Sequence, residues 1–494
     1  MDAIMNNKKS FAKLGLRIIV IYTTIIGYIS YLLITTTINN NVDYSNLIFG
    51  LSWLGVALGV YIVITWYKLT GNVFSLYIIF MVFFFLFNYG QPLMWAFGIH
   101  QTHEIGETTL YTMGVPTSAE IVNAQALTLV SILMFHFGAV FCHKPRKKVK
   151  KNSESNIGTL NNNTLESIYY TCLIASYIVI PITFYNAVYK LIISQLYGYS
   201  AYYYGEDVVG KVVVFNLIEH MFFPCLVGLL IGSMYRKNVK ISVYFIFAVY
   251  LLISVLSGDR GSWLYKLIIL MWMSHTFYKT INFKTITTYS VTSIIGLYLL
   301  DAIVSIRNTG ISLENIVNSI SLKNSSIISG IFEMGASMRP TIVLVKYGTD
   351  IWPYGNTYIN ALLGFITSRI FPILGRPFEP ISDWFSQGYL DISYGAGFNI
   401  VAEALLNYGP MGAPIFMILL GYLLVSLTYL DKNINLKRQS LRIFFAISTM
   451  SIFIHVVRNH FHWLVKTWFY GVVILIILIL IMREYINKKK RPVL

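Results

Sequence analysis

The sequence predicts an all-helical, polytopic integral membrane protein. Hydrophobic residues make up 56% of the 494 positions and charged residues only 12%, and the mean hydropathy is +0.63. Soluble domains carry roughly twice that charged fraction. Apolar runs long enough to cross a bilayer, about 17–25 residues, recur along nearly the whole chain. Basic residues are concentrated in alternate connections between these runs, which is typical of membrane topology.

The apolar runs predict about twelve transmembrane helices in one bundle over residues 1–494, rather than several soluble domains. The first run is too long for the hydrophobic region of a signal peptide, and no small-residue cleavage site follows it, so we expect it to be a span. The candidate spans are 14–36, 46–67, 73–97, 122–142, 167–189, 211–234, 241–257, 262–279, 285–305, 411–430, 440–458 and 464–483.

The charges predict which side of the membrane each connection occupies. A cytoplasmic N-terminus puts 25 of the 37 Lys and Arg residues, but only 5 of the 21 Asp and Glu residues, on the inner side. Every inner connection then obeys the positive-inside rule, and both termini are cytoplasmic. The basicity, with a pI near 9.4, is therefore explained by topology, and nucleic-acid binding is excluded as its cause.

Two connections differ from the rest. Residues 143–166 form a cytoplasmic basic loop, Lys-rich and then Asn- and Ser-rich, which we expect to be mobile. Residues 306–398 form a large outer loop, within which 315–347 has the spacing of amphipathic helices lying on the membrane surface. A long structured loop at one membrane face is a common place for function, so we expect the active-site segment there.

Arginines on the outer side are the first candidates for binding. Guanidinium groups bind phosphate through two parallel hydrogen bonds and stay charged, so the set predicts an anionic ligand such as a lipid pyrophosphate. The alternative is that each arginine pairs with a local acid such as Asp259, Asp301 or Glu379. Arg260 is the strongest candidate because it lies in the glycine turn SGDRGSW between two spans. The candidates are Arg260, Arg307, Arg339, Arg369, Arg376 and Arg458.

The segment 369–409 combines acids, arginines, glycines, prolines and aromatics. The run FPILGRPFEP excludes a continuous helix, so Arg376 and Glu379 are expected on a fixed loop. A helix beginning near Gly397 would then place Asn399, Glu403 and Asn407 in one polar stripe. Either the stripe hydrogen-bonds a neighbouring helix, or the carboxylate has a function, since burying it in a membrane costs about 2.5 kcal/mol or more.

The run HVVRNHFHWLVK before the last span is the third candidate region. In a helix, His455, Arg458 and His462 share one face, with His460 and Lys466 nearby. A neutral histidine can act as a general base and a charged one can bind phosphate, whereas the alternative is contact with lipid head groups. No carboxylate lies nearby in sequence, and the three cysteines lack the spacing of zinc ligands, so no metal is expected.

Aromatic residues supply a hypothesis for sugar binding. The run YGYSAYYYGED contains Tyr202 and Tyr203, whose rings can stack on the C–H faces of sugars, although interfacial belts explain most of the 36 tyrosines. Tyr394, Asn399 and Asn407 complete the candidate sugar-binding set. Within a span, Glu219 and His220 form a polar pair of the kind transporters use, or an ion pair with Lys266.

The chain resembles the O-antigen polymerases of Wzy type, which polymerise oligosaccharide repeat units and are related to the O-antigen ligases. The resemblance rests on SGDRGSW at 257–263, NALLGFITSRIFPILGRP at 360–377 and YGAGFNIVAEALLNYGPMG at 394–412. It implies a lipid-dependent glycosyltransferase with a GT-C-like membrane fold and neither nucleotide nor metal cofactor. It also implies residence in the bacterial cytoplasmic membrane, with the active site on the outer side.

The resemblance also implies substrates and roles. The donor would be a glycan on undecaprenyl pyrophosphate, the acceptor a new lipid-linked repeat unit, and a chain-length regulator protein a possible partner. Arg260 matches the family's glycine-flanked arginine, Arg369 and Arg376 its loop arginines, and Glu403 its helix acid. The hypothesis is that arginines hold the pyrophosphate while Glu403, His460 or His462 takes the acceptor's proton.

The alternatives are an O-antigen ligase and a lipid-linked oligosaccharide flippase. A flippase would show two related halves, and we find no convincing internal repeat.

Overall fold

A computed structural model describes most of the chain. It covers residues 2–39, 42–143, 154–197, 213–257, 259, 263–280, 326–367, 370–373, 379–392, 395–432 and 434–490. These residues form helices and no β-strand. The helices are α1 (Asp2–Thr37), α2 (Ser45–Thr70), α3 (Leu76–Trp95), α4 (Ser118–Cys142), α5 (Glu154–Tyr197), α6 (Val213–Glu219), α7 (Phe222–Gly232), α8 (Lys237–Leu256), α9 (Leu264–Phe277), α10 (Ser326–Gly335), α11 (Arg339–Tyr347), α12 (Thr357–Gly364), α13 (Ile370–Ile373), α14 (Ile381–Asp383), α15 (Ile400–Thr428), α16 (Ser440–Phe453), α17 (Phe461–Trp468) and α18 (Ile474–Lys489).

Ten helical segments within the described ranges are long and apolar enough to cross a membrane. Each corresponds to one of the twelve predicted spans, which confirms an all-helical protein with multiple membrane-spanning helices. The predicted span 262–279 is a helix of only 14 residues, α9, and 285–305 lies outside the described residues. A further difference is that α5 begins at Glu154, inside the segment 143–166 predicted as a loop.

The core of the bundle surrounds α3 and α4. Nearly every side chain of these two helices is buried, whereas α1, α2, α5 and α8 expose apolar side chains outward, such as Tyr177 at 74% and Phe245 at 68%. Large exposed apolar surfaces of this kind suit a lipid environment. We therefore place α3 and α4 at the centre of the bundle and the other four helices toward lipid.

Helices α4 and α15 pack with their backbones in contact. A Cβ atom on Gly138 would lie 2.0 Å from the carbonyl oxygen of Ile418, and one on Gly421 would lie 2.0 Å from that of Phe135. Small residues permit such close approach, which supplies dispersion contacts between helices where apolar lipid offers no hydrophobic driving force. The α4–α15 pair thus fixes the position of α15, which carries Glu403.

The two ends of the bundle differ in character. At one end, which we call the basic end, Arg17 binds the carbonyl of His143, Arg442 binds that of Tyr429, and Lys490 pairs with Glu166 at 2.6 Å. At the opposite end, which we call the loop end, the connection 96–117 packs against 380–392 and 395–399. Tyr111 Oη donates to the carbonyl of Ala396 at 3.0 Å. The charges predict that the basic end is the inner side and the loop end the outer side.

Helices α10 and α11 cover the loop end rather than stand apart from it. Gly335 in α10 lies so close to α3 that an added Cβ would be 2.4 Å from the backbone nitrogen of Gln91. The apolar residues Ile342, Val343 and Leu344 of α11 are buried, and this helix packs on α4 and α15. The amphipathic spacing of 315–347 therefore reflects, over its described part, burial against the bundle.

Candidate functional site

Glu403 lies where the N-termini of three helices meet. It occupies the first turn of α15 and is 1% exposed. Its Oε1 accepts a 2.6 Å hydrogen bond from Thr357 Oγ1 at the start of α12, and its Oε2 accepts a 2.7 Å bond from the backbone N–H of Phe461 at the start of α17. Helix N-termini present unpaired N–H groups and positive dipole ends, so this position suits a carboxylate. Glu403 consequently joins three elements that are distant in sequence.

Asn407 completes the same hydrogen-bond network. Its Oδ1 accepts from the backbone N–H of Thr357 at 2.7 Å, and its Nδ2 donates to Thr357 Oγ1 at 2.8 Å. The next turn is broken at Gly409, whose φ of 68° lies in the left-handed region that glycine adopts without strain. The helix predicted for this region therefore consists of a short acid-bearing piece, a kink, and a long span.

Asn399 is the N-cap of α15. Its Oδ1 accepts from the backbone N–H groups of Val401 and Ala402, and its Nδ2 donates to the carbonyl of Ser337 at 2.6 Å. The side chain is completely buried. The stripe of Asn399, Glu403 and Asn407 thus hydrogen-bonds neighbouring elements, which is the alternative named for it from the sequence. Sugar binding by the two amides stays a prediction.

The histidine segment lies directly beside Glu403. His460 immediately precedes Phe461, is 6% exposed, and its Nδ1 has no hydrogen-bond partner among the residues described. Burial, reinforced by His462, lowers the pKa of His460 to about 3, so the ring is neutral at ordinary pH. The rings of His460 and His462 are parallel with centroids 6.3 Å apart. The structure therefore brings together Glu403 and the histidines that the sequence offered as rival bases.

Two of the six candidate arginines are described. Arg339 begins α11 and donates to the carbonyl of His103 at 3.2 Å, while its Nε is buried without a partner in the described part of the chain. Arg458 is exposed, with its guanidinium carbon 5.8 Å from the ring centroid of Phe87. Both lie at the loop end. The remaining predicted site residues, all outside the described residues, are Arg260, Arg307, Arg369, Arg376, Tyr202, Tyr203 and Tyr394.

A cavity of about 360 Å³, which we call the polar cavity, opens beside Ser257 and Asp259. Lys190 Nζ lies 3.2 Å from Asp259 Oδ2, which gives this acid, considered above as an arginine partner, a lysine neighbour. Asn186 Nδ2 donates to Glu219 Oε2 at 2.8 Å, and Lys266 Nζ donates to Tyr250 Oη at 3.1 Å. The other polar and aromatic side chains on its wall include Asn216, His220, Ser254, Ser257, Ser451, His455, Trp463 and Thr467.

An apolar pocket of about 200 Å³ lies on the other side of α17. Among the described residues of its wall Glu403 is the one acid, beside aromatic and aliphatic side chains that include Phe461, Leu464 and Trp468. Trp463 and Thr467 instead project from α17 toward the polar cavity. This short helix is therefore the partition between a polar cavity and an apolar pocket, and Glu403 holds its N-terminus in place.

The chain matches the family model described as O-antigen polysaccharide polymerase Wzy, over residues 16–490. The chain belongs to that family. No match was found among curated proteins or among solved structures. The match covers nearly the whole chain and so includes every helix from α2 to α18 and most of α1.

Membership establishes the class of reaction. The protein is a polymerase of O-antigen repeat units, a transferase of the glycosyltransferase type, in the bacterial inner membrane, and its substrate is a lipid-linked oligosaccharide. The multiple spans and the sites at one end of the bundle suit a substrate that is half lipid and half sugar. Nothing in the structure or the comparisons favours a ligase or a flippase.

Sequence reasoning missed several residues that the polymerase fold brings to the polar cavity. Lys190, Asn186 and Thr467 were not singled out, because each is one polar residue in an apolar helix with no local motif. The suggested ion pair of Lys266 with Glu219 is absent from the described residues, where Lys266 bonds Tyr250 and Glu219 bonds Asn186. Polar residues within a membrane span are costly, so the presence of both Asn186 and Lys190 in one apolar run was a signal that could have identified them.

Proposed function

We propose that this polymerase transfers a growing glycan from undecaprenyl pyrophosphate to the terminal sugar of a new lipid-linked repeat unit at the outer membrane face. The family match supports repeat-unit polymerisation, and the polar cavity at the loop end supports the location of the chemistry. In this proposal the chain has about twelve spans, cytoplasmic termini and a GT-C-like fold, and a chain-length regulator protein is a partner. The product is an O-antigen or capsular polysaccharide.

The single observation that carries the site is the convergence of Glu403, the histidine segment and the cavity wall on α17. Both carboxylate oxygens of Glu403 accept hydrogen bonds from the protein. We therefore assign Glu403 as a positioning residue that orients α17, and the acceptor's proton passes to a neutral histidine of the 455–462 segment. His460 and His462 keep their proposed catalytic roles, and His455 joins them because it lines the polar cavity.

The arginines complete the proposed mechanism. Arg260 directly follows Asp259, which lines the polar cavity, so its position along the chain supports a role in holding the donor pyrophosphate. In this proposal Arg376 and one of Arg307, Arg339 or Arg369 also bind the pyrophosphate. Arg458 contributes to the same binding from the outer side of the membrane. Fixed guanidinium groups stabilise the diphosphate as it leaves, which lowers the barrier without a metal or other cofactor.

The test is polymer length in cells that lack their own polymerase and carry Arg260→Ala, Arg260→Lys or the control Arg236→Ala at the basic end. We expect Arg260→Ala to leave single repeats, Arg260→Lys to give short chains because it keeps one charge, and Arg236→Ala to give full ladders. Full-length ladders from well-expressed Arg260→Ala would remove this arginine from the site. Chains that lengthen without lipid A core distinguish a polymerase from a ligase, and repeats that cross the membrane without lengthening would indicate a flippase.

A further inference from the structure

The polar cavity has the composition of a site for an uncharged, hydroxyl-rich ligand. Its described wall holds two lysines, Lys190 and Lys266, and two acids, Glu219 and Asp259, so its formal charge is balanced. A diphosphate would meet two carboxylates there, and like charges placed together repel. A sugar ring instead offers hydroxyl groups that both donate to carboxylates and accept from ammonium and amide groups.

The wall already orients these groups before any ligand enters. Asn186 fixes Glu219 at 2.8 Å, Lys190 fixes Asp259 at 3.2 Å, and Tyr250 fixes Lys266 at 3.1 Å. A group held by one partner loses little further side-chain entropy when it bonds a ligand. The volume of about 360 Å³ lies near the lower end of the range for small-molecule pockets, about 300–1,000 Å³.

Thr467 independently presents a hydroxyl group to the cavity that a polar ligand could bond. It lines the cavity from α17, it is 3% exposed, and its Oγ1 is buried with no hydrogen-bond partner in the described part of the structure. Threonines in apolar helices usually bond the carbonyl one turn earlier, and a buried hydroxyl without any partner is costly. A polar ligand in the cavity would satisfy this hydroxyl.

Trp463 lies one turn before Thr467 on the same face of α17. Its side chain is half-buried, and its ring contacts that of His455 with centroids 4.8 Å apart. An aromatic face gives an apolar surface on which the C–H face of a sugar can lie, while the hydroxyl groups at the ring edge reach the polar wall. The cavity therefore combines a stacking surface with a ring of hydrogen-bonding groups.

We propose that this cavity binds one neutral sugar ring of a lipid-linked repeat unit, with Trp463 as stacking surface and Thr467 as hydrogen-bond partner, and that it does not bind the pyrophosphate. The proposal rests on the polymerase function and names the subsite that reads its carbohydrate. The pyrophosphate is then held beside the cavity and not inside it, by the arginines proposed above. Such a division lets the enzyme recognise its sugar independently of the lipid carrier.

The test uses full-length protein in lipid nanodiscs and the protein's own repeat unit, released from its lipid by mild acid and tagged at the reducing end. This probe carries no pyrophosphate, so it can be extended as an acceptor but cannot be a donor. Thr467→Val is nearly isosteric, and Thr171→Val is its matched control, since Thr171 Oγ1 is also buried without a partner among the described residues but does not line the cavity. Trp463→Phe keeps a smaller ring in case a larger change prevents folding.

We expect Thr467→Val to raise the KM for the tagged acceptor about fivefold, the loss of one hydrogen bond, with kcat little changed. The saturation-transfer NMR signal of the tagged acceptor should weaken in parallel. Thr171→Val should change neither the KM nor this signal. A rise confined to the KM of the lipid-linked donor would assign the cavity to the donor's sugar and equally support a sugar site.

Two results would overturn the proposal. One is a KM that is unchanged for both the tagged acceptor and the lipid-linked donor, with an unchanged NMR signal, in both Thr467→Val and Trp463→Phe. The other is weaker inhibition by inorganic pyrophosphate with unchanged sugar binding, because this would make the cavity the diphosphate site. Absence of chain extension by the unmodified protein would instead count against the proposed function, and the NMR signal would still report on the sugar site.

Discussion

The backbone N–H of Phe461 donates a 2.7 Å hydrogen bond to Glu403 Oε2, across 58 positions of sequence. This bond sets the N-terminus of α17 against the first turn of α15. Because α17 separates the polar cavity from the apolar pocket, this contact helps to orient the side chains that α17 presents to each. Glu403 thereby connects the kinked helix to the site without needing to touch substrate.

Replacing Glu403 should therefore affect stability together with turnover. Glu403→Leu leaves the N–H of Phe461 and the hydroxyl of Thr357 buried without an acceptor, which costs about 1–3 kcal/mol for each. Glu403→Gln retains one acceptor oxygen and should lie between Leu and the unmodified protein. Thermal unfolding in detergent measures the order of stability of the two variants and the unmodified protein. Glu484→Gln, at an exposed position of α18, serves as control.

A catalytic role for Glu403 would give a different pattern from the positioning role. Positioning predicts that kcat in Glu403→Gln recovers when the protein is stabilised, for example by lower temperature. Catalysis predicts that Glu403→Gln is as inactive as Glu403→Leu even when it is fully folded. Chain-extension rates of the two variants, each normalised to folded protein, separate these outcomes.

Asn399 should behave as a helix cap. Asn399→Ala removes acceptors for two backbone N–H groups of α15 and a donor to the carbonyl of Ser337, and should destabilise the protein by about 0.5–2 kcal/mol or slightly more. Asn399→Asp keeps the cap acceptor and should be milder. If Asn399→Ala lowered sugar affinity with no loss of thermal stability, the predicted sugar-binding role would be the better account.

The close packing of α4 on α15 should not tolerate even a methyl group. Gly138→Ala places a Cβ atom 2.0 Å from the carbonyl oxygen of Ile418, so the helices must separate and α15 must shift. We expect strongly reduced yield of monodisperse protein by size-exclusion chromatography. Gly50→Ala in α2, where an added Cβ meets nothing within 4 Å, should leave the yield unchanged. Equal yields of the two variants would contradict the packing described.

Acid should destabilise the protein in part through His460. Burial and His462 lower the folded-state pKa of this residue to about 3, below the ordinary value of 6.5. As the pH falls below about 6.5 the unfolded chain takes up a proton that the folded ring does not, so stability is lost between pH 6.5 and about 3. At pH 5 the loss from this residue is about 2 kcal/mol.

The measurement for His460 is the thermal midpoint from pH 8 to pH 5. His460→Gln, which does not titrate, should flatten the decline in this range, and the neighbouring substitution Asn459→Gln should not. A decline of the same steepness in His460→Gln would show that other groups are responsible.

The membrane-spanning helices could be predicted from the sequence because hydropathy is a local property. Ten of the predicted spans correspond to helices that are long and apolar enough to cross a membrane. Glu403 and Asn407 lie on a helix as predicted, but this helix begins at Ile400, so Asn399 is its cap and not part of it. The helix found within the predicted span 262–279 is shorter than the prediction, since α9 covers only the 14 residues Leu264–Phe277. Burial inside the bundle and exposure to lipid produce the same apolar runs, so the surface helices of 315–347 could not be distinguished from packed ones.

The site was only partly predictable, because it depends on contacts between residues far apart in sequence. Glu403 and the histidine segment were each identified, but nothing local indicated that Phe461 would bond the carboxylate. The polar cavity takes residues from seven helices, and Thr467 in particular looks like an ordinary residue of an apolar span. Charge and motif identify residues one segment at a time, whereas the cavity exists only after the helices have packed.

The most direct test of the account is synthesis by the purified protein in liposomes that contain only its lipid-linked repeat unit. The account predicts a ladder of lipid-linked oligomers, formed without lipid A core, nucleotide or added metal, and shortened to single repeats by Arg260→Ala. A product confined to single repeats for the unmodified, folded protein, or a ladder that requires core lipid, would contradict it.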